Sequence, residues 1–187
     1  MRRLLTILSI FGLCNGSAAQ TPITPDNIEQ FFKYVQLGDS SNVERMLKAD
    51  PGFATAKDRF EFQAIHVLDY NNFDQILTLL LQYGANINAQ NDDGSALLHI
   101  LIDSEFLQPV LDAGANLELK DEVGFTPLLA HLIRADGEQM VRALLSAGAN
   151  PNAKDNRNQS ALSHARETGD EVLVNLLIDA GASAQEN

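Results

Sequence analysis

Apolar and polar residues alternate along the chain in a pattern that repeats four times. Each cycle contains an apolar run, and these runs read QILTLLLQY, LQPVLDA, MVRALLSA and VLVNLLIDA. In the third run Val141, Leu144 and Leu145 share the spacing of one face of an α-helix. A glycine follows each run, and the glycines are Gly84, Gly114, Gly148 and Gly181. Because glycine takes up the left-handed conformation at little cost, each glycine predicts the end of a helix.

A polar segment and a second apolar run complete each cycle. The polar segments NAQNDDGS, LELKDEVGF and NAKDNRNQ follow the first three glycines, and ALLHILI, TPLLAHLI and SALSHA come next. The segment KDRFEFQAIHVLDY has the same place before the first glycine. Thr126 before Pro127 and Ser160 before Ala161 predict helix starts, because a hydroxyl caps the first turn. The glycines lie 30, 34 and 33 residues apart, so the pattern predicts stacked helix pairs in a repeat protein.

The turn segments carry a resemblance to a known family. DEVGFTPLLAHL, DNRNQSALSHA and NDDGSALLHIL resemble the ankyrin repeat, which runs D-x-x-G-x-T-P-L-H, helix, loop, helix, G-A. The resemblance implies an all-α solenoid of stacked helix pairs with short hairpin-like turns, in about five units including caps. The predicted domain covers residues 26–184, after a linker at 20–25 and before a tail at 185–187. Its units are an N-terminal cap at 26–57, repeats at 58–90, 91–120 and 121–154, and a C-terminal repeat at 155–184.

Several positions depart from the repeat pattern. Glu61 and Asn158 stand where the turn glycine is usual, and Gln63 and Ala96 replace the capping threonine. Since a lost cap costs about 1 kcal/mol, we expect the first two repeats to be locally less stable than the third. The second repeat is short and the third has an extra residue, which we assign to the loops between their helices.

The first twenty residues, MRRLLTILSIFGLCNGSAAQ, have the pattern of a secretory signal peptide. Two arginines precede an apolar run of about ten residues, far fewer than the roughly 20 that span a bilayer. Ser17, Ala18 and Ala19 predict cleavage after Ala19 and a periplasmic or secreted location. The chain's single cysteine, Cys14, would leave with the signal, so no disulfide is expected in the mature protein.

Composition and charge narrow the class of partner. Hydrophobic residues make up 45% of the chain, aromatic residues only 6%, and tryptophan is absent, so the core is expected to consist mostly of Leu, Ile, Val and Ala. The net charge of −12 argues against binding nucleic acid or anionic lipid. It permits a basic protein partner, although solubility alone also explains it.

The stretch NDDG, residues 91–94, is a candidate calcium loop, but its spacing is wrong. With Gly94 at the sixth place of an EF-hand loop, Ala89 and Ile100 fall at the first and twelfth places, where carboxylates are needed. A turn between repeats is therefore predicted, in which Gly94 lets the chain close and Asp92 and Asp93 face a partner.

Histidines recur with the repeats, at positions 66, 99, 131 and 164. Stacked units separate equivalent positions by about 10 Å, which is too far for shared metal ligation at roughly 2 Å. The resemblance implies instead that His66 and His99 bond nearby backbone and bridge repeats. Ser160 and His164 lie one helical turn apart, but we identify no orienting acid or oxyanion hole for them. No catalytic residue, cofactor or metal is predicted.

The resemblance also implies where a protein partner binds, namely at the turn tips and on the exposed side of each unit's first helix. Carried over position by position, this gives Arg59, Phe60, Phe62, Tyr70, Asn71, Asp92, Asp93, Ser95, Asp103, Glu122, Phe125, Ile133, Arg134 and Arg157. Aromatic residues beside arginine are typical of interface anchors, so Phe60 and Tyr70 are expected to be exposed. Phe62 and Phe125 either face the partner or pack against a neighbouring turn.

These observations predict an exported, non-enzymatic protein-interaction module, monomeric when unbound, that binds a periplasmic protein in a Gram-negative bacterium. Small exported bacterial proteins of this resemblance include immunity proteins that neutralise toxins and accessory proteins that support catalase and oxidative defence. A structural envelope component and a hydrolase on a repeat scaffold are further alternatives.

Overall fold

The computed structural model describes residues 21–183, so the predicted signal peptide and the tail at 185–187 lie outside the described residues. The α-helices in this part are α1 (Pro25–Gln36), α2 (Ser40–Ala49), α3 (Phe73–Gln82), α4 (Leu97–Ile100), α5 (Leu107–Asp112), α6 (Pro127–Leu132), α7 (Glu138–Ser146), α8 (Ala161–Thr168) and α9 (Glu171–Asp179). Short 3-10 helices cover Pro51–Ala54, Ala64–Val67 and Ser104–Phe106.

These helices form two layers. In one layer the first helices of successive units pack in order, with Ala64–Val67 between α1 and α4, then α6, then α8. In the other layer α2 packs on α3, and α7 packs on α9. Residues 21–183 contain one isolated bridge, between Lys154 and Ser160, and no β-strand. The predicted all-α solenoid of stacked helix pairs is confirmed.

The core runs continuously between the two layers. Leucine, isoleucine, valine and alanine supply most of its buried side chains, as the composition predicts. The fully or nearly fully buried aromatic residues are confined to the N-terminal part, where Phe31 and Phe53 pack with their rings 5.3 Å apart. Aromatic packing therefore supports the cap, and aliphatic packing supports the later repeats.

The predicted helix starts and ends are confirmed where the sequence marks them clearly. Thr126 accepts a hydrogen bond from the N–H of Leu129 at 3.5 Å, and Ser160 accepts one from Ser163 at 3.2 Å. The four glycines that follow the second helices all have φ between 88° and 94°. Each of these helices thus ends in the left-handed residue that its sequence predicts.

The two positions without a threonine cap start unusually short helices. The 3-10 helix after Gln63 and helix α4 after Ala96 have four residues each, and neither has a side-chain cap. The backbone N–H groups of Gln63 and Ala96 themselves donate to Nδ1 of His66 and His99, at 3.0 and 3.2 Å. The buried Oε1 of Gln63 has no hydrogen-bond partner among the described residues. This pattern agrees with the expected local weakness of the first two repeats.

Replacement of Gln63 by threonine should stabilise the protein by about 1 kcal/mol, because a hydroxyl there can accept from the N–H of His66 as Thr126 does from Leu129. Urea denaturation of wild type, Gln63→Thr and Gln63→Val would measure the change. Valine has the shape of threonine without the hydroxyl, so an equal gain from both substitutions would show that capping is not the cause.

Candidate protein-binding surface

Each turn between units begins with a side chain that holds the turn closed. The carboxylate of Asp58 accepts hydrogen bonds from the backbone N–H groups of Phe60 and Phe62, both at 2.9 Å. The side chains of Asn91, Asp121 and Asp155 accept the two equivalent bonds in their own turns. The predicted hairpin-like turns are therefore present, and the first residue of each turn is structural rather than free for a partner.

Neighbouring turns are joined by a backbone ladder, which we call the turn ladder. The N–H of the second residue in a turn donates to the C=O of the third residue in the preceding turn. The pairs are Asp92 to Phe60 at 3.3 Å, Glu122 to Asp93 at 3.1 Å and Asn156 to Val123 at 3.1 Å. Because these bonds join main-chain atoms, the turn ladder itself uses no side chain of the tips.

The turn at residues 91–94 contains both buried residues and exposed residues. Asn91 and Gly94 are buried, and Gly94 has φ of 74°, whereas Asp92 and Asp93 are exposed. This confirms the predicted turn, and the two carboxylates given as candidates for contacting a partner are accessible. In the first and last turns Glu61 and Asn158 replace this glycine, and their backbones also have positive φ, at 59° and 64°.

The predicted aromatic anchors fall into two groups. Phe60 and Tyr70 are 48% and 51% exposed, as expected. Phe62 and Phe125 are half-buried, and their rings contact the edges of His66 and His164. Of the two alternatives for this pair, packing within the scaffold is the one that the structure supports.

A groove of about 1160 Å³ lies between α1 and the first turn, and we call it the end groove. Its apolar side chains are Ile28, Phe32, Phe60, Phe62 and Val67. Its cations are Lys33, Lys57 and Arg59, and its acids are Glu29 and Asp58. The Arg59 guanidinium lies over the Phe60 ring, 4.6 Å from its centroid.

Tyr70 lines a different cavity, of about 740 Å³, at the loops between the helices of successive repeats. Its ring stacks on Phe106 at 5.5 Å, and Phe106 stacks on the buried Phe73 at 4.3 Å. The carboxylates of Asp103, Glu105 and Asp136 share this cavity. The structure thus separates Phe60 from Tyr70. Tyr70 shares its cavity with acidic side chains, whereas Phe60 lies in a groove that contains both acids and cations.

The other predicted positions lie along the same units. Ile133 is 54% exposed, and its neighbour Arg134 forms an ion pair with Asp136 at 3.2 Å. Asn71, Glu122 and Arg157 are exposed, and Ser95 and Asp103 are half-buried.

Two further exposed apolar side chains lie along these units. Val123 is 58% exposed in the third turn, at a tip position that the resemblance also gives, and Ile102, which the sequence reasoning missed, is 53% exposed beside Tyr70.

The histidines cross-link neighbouring segments, as the resemblance implies for His66 and His99. Nε2 of His66 bonds the C=O of Ala89 at 2.9 Å, and Nε2 of His99 bonds that of Phe125 at 3.0 Å. His131 reaches backward, to the C=O of Leu98 at 3.0 Å. Burial lowers the pKa of His66 and His99, and it lowers the pKa of His131 to about 4. All three side chains therefore serve the fold as neutral donors.

The pair Ser160 and His164 does have an acid beside it, which the sequence reasoning missed. Nε2 of His164 lies 3.1 Å from Oδ2 of Asp155, and both side chains are almost fully buried. The other oxygen of Asp155 holds the last turn, while Ser160 caps α8. All three groups thus have structural partners.

Within residues 21–183 no three His, Cys, Asp or Glu side chains come together in a geometry that could hold a metal ion. None of the helices described for this part of the chain has the length and hydropathy needed to cross a bilayer.

Comparison with known proteins agrees with the fold. The ankyrin repeat family model matches residues 123–156. An ankyrin repeat protein of Rickettsia felis is 39% identical over 64 residues, which cover 30% of this chain and 28% of that protein. The ankyrin repeat protein YahD of Escherichia coli is 39% identical over 71 residues, covering 36% of this chain and 35% of YahD. With the stacked helix pairs and the clamped turns, these matches identify the chain as an ankyrin repeat protein.

A longer but weaker similarity extends to an intracellular phospholipase A2 of Caenorhabditis elegans, 28% identical over 169 residues. It covers 84% of this chain but only 16% of that enzyme. The chain spans between 16% and 35% of the length of these three relatives. The ankyrin repeat family is typically non-enzymatic and binds other proteins.

Proposed function

We propose that this chain is an exported, non-enzymatic module that binds a protein partner in the periplasm through its turn tips and the adjoining helix face. The main observation that supports this proposal is the turn ladder, which holds exposed side chains at fixed spacing. Asp92, Asp93, Glu122 and Val123 are exposed there, and none of their side chains has a hydrogen bond in the described structure. Rigid presentation lowers the entropy cost of binding, so these side chains suit recognition.

Neutralisation of a secreted toxin is the role that the charge favours. With a net charge of −12, the protein would attract a basic partner, and complementary fields accelerate capture. The adjacent acids Asp92, Asp93 and Glu122 belong to two neighbouring turns joined by the ladder. They would meet the partner's cations first.

Removing the three tip carboxylates should slow capture of the partner about tenfold at low salt, because electrostatic steering acts on the association rate. The variant is Asp92→Asn, Asp93→Asn and Glu122→Gln, and the measurement is association of the purified partner after its capture from an envelope extract. The control variant, Asp74→Asn, Glu171→Gln and Asp179→Asn, removes the same charge from the outer helices and should bind nearly as wild type does.

Two results would count against this proposal. Failure to capture any partner would remove the binding role, and equal slowing in the two variants would place the site away from the tips. The identity of the captured protein separates the roles, since a secreted toxin supports neutralisation and a catalase supports the accessory role.

A further inference from the structure

The end groove differs in charge from the rest of the molecule. The whole chain is strongly acidic, yet the groove contains three cations and two acids. Lys57 is paired with Glu61 at 2.8 Å, but neither Lys33 nor Arg59 forms an ion pair in the described part of the chain. One oxygen of Asp58 accepts two backbone N–H groups while the carboxylate keeps its charge, so Asp58 and Glu29 together oppose the cations of the groove.

The turn ladder also ends at this groove. In the three later turns, the N–H of the second residue donates to the preceding turn. Arg59 is the second residue of the first turn, and within residues 21–183 no turn precedes it and its N–H has no hydrogen-bond partner. The groove therefore offers a backbone donor and a guanidinium on the same exposed residue, and both are available to an acceptor.

The apolar part of the groove is the third component. Phe60 is 48% exposed, and Ile28, Phe62 and Val67 are half-buried beside it. The volume of about 1160 Å³ exceeds the range of about 300–1,000 Å³ usual for small-ligand pockets. A groove of this size with an open backbone donor at its edge suits an extended peptide, which binds through its own main chain.

We propose that the end groove receives an extended segment of the partner protein in which an acidic residue is flanked by apolar residues. A main-chain carbonyl of the segment accepts from the N–H of Arg59 and so continues the turn ladder by one strand-like step. The acidic side chain pairs with the Arg59 guanidinium and the Lys33 ammonium, and an apolar neighbour packs on Phe60. This inference rests on the proposed function, because it assumes that the chain binds a protein.

Other occupants fit the groove less well. The first twenty residues carry Arg2 and Arg3 and no acidic residue, so their charge would oppose Lys33 and Arg59. A second copy of the chain would bring a net charge of −12 toward a molecule of the same charge.

Selection from a library of random ten-residue peptides displayed on phage tests the proposal, with the purified protein as bait. The expected consensus contains Asp or Glu beside Leu, Ile, Val or Phe. A selected peptide, synthesised with a fluorophore, should bind at least tenfold more weakly to Arg59→Gln than to wild type. Arg142→Gln is the matched control, because Arg142 is also an exposed arginine but lies on α7, outside the end groove and outside the predicted binding positions, and it should leave binding unchanged.

Several outcomes would overturn the proposal. These are a selection that enriches no peptide, a basic consensus, and equal affinity for wild type and Arg59→Gln. Competition by a peptide of residues 1–20 would assign the groove to the chain's own leader, and self-association lost in Arg59→Gln would assign it to a second copy. If Arg59→Gln keeps full capture of the partner while the tip variant loses it, the groove proposal fails and the proposed function stands.

Discussion

Gly124→Ala should lower the free energy of unfolding by about 3–4 kcal/mol, whereas Gly114→Ala should lower it by about 1–2 kcal/mol. The two glycines have nearly the same left-handed conformation, with φ of 86° and 88°. A methyl group on Gly114 would meet no atom within 4 Å, so only backbone strain is expected. A methyl group on Gly124 would lie 2.5 Å from the backbone N of Asn156 and 2.3 Å from its Oδ1.

The difference in unfolding free energy between these two variants shows how closely neighbouring turns pack along the turn ladder. The Asn156 N–H donates to Val123, so relief of the clash at Gly124 requires the last turn to move off the third. Urea denaturation followed by far-UV circular dichroism gives both free energies, and losses equal within about 0.5 kcal/mol would contradict close stacking of the turns. Repetition in an Asn156→Ala background removes the side-chain clash and leaves the main-chain one, so most of the loss should persist.

Acidification should destabilise the protein steeply between pH 6.5 and pH 4, and His131 should account for roughly 3 kcal/mol of the loss. Its pKa is lowered from the ordinary 6.5 to about 4, first because burial disfavours the imidazolium. Between those values the unfolded chain binds more protons than the folded one, so unfolding becomes more favourable as the pH falls. Burial lowers the pKa of His66 and His99 as well, and their contributions have the same sign.

Comparison with His131→Gln isolates this contribution. Glutamine keeps an N–H donor for the C=O of Leu98 but does not titrate, so its stability should fall less between pH 7 and pH 4. The quantity to compare is the slope of unfolding free energy against pH, because the substitution also changes the stability at pH 7. Parallel slopes for the two proteins would show that His131 binds protons equally in the folded and unfolded states.

Much of this fold is predictable from the sequence because its signals are local. Thr126 and Gly148 each act on the helix that they adjoin, and the pattern of apolar residues marks the buried faces. The scaffold role of His99 was also predictable, since it repeats with the unit. Gln63 shows the reverse case: it supplies no capping hydroxyl, and the 3-10 helix that follows it has only four residues.

The candidate surface was predicted less completely because it depends on contacts between units. Transfer of family positions placed Phe60 and Tyr70 in one set, whereas the fold puts them in separate cavities. The end groove includes Ile28 and Lys33 of the cap helix. This helix lies outside the repeat motif, so the family resemblance assigned no binding position to it. The pairing of Asp155 with His164 was likewise hidden, because a residue that starts a turn does not indicate which later helix it meets.

The turn ladder also makes the molecule modular along its length. Each of the three later turns donates to the turn before it, and these bonds involve only main-chain atoms. A whole repeat inserted or deleted between two turns would leave every remaining turn bonded in the same way. The length of the protein can therefore change in whole repeats, while the end groove and the last turn keep their chemistry.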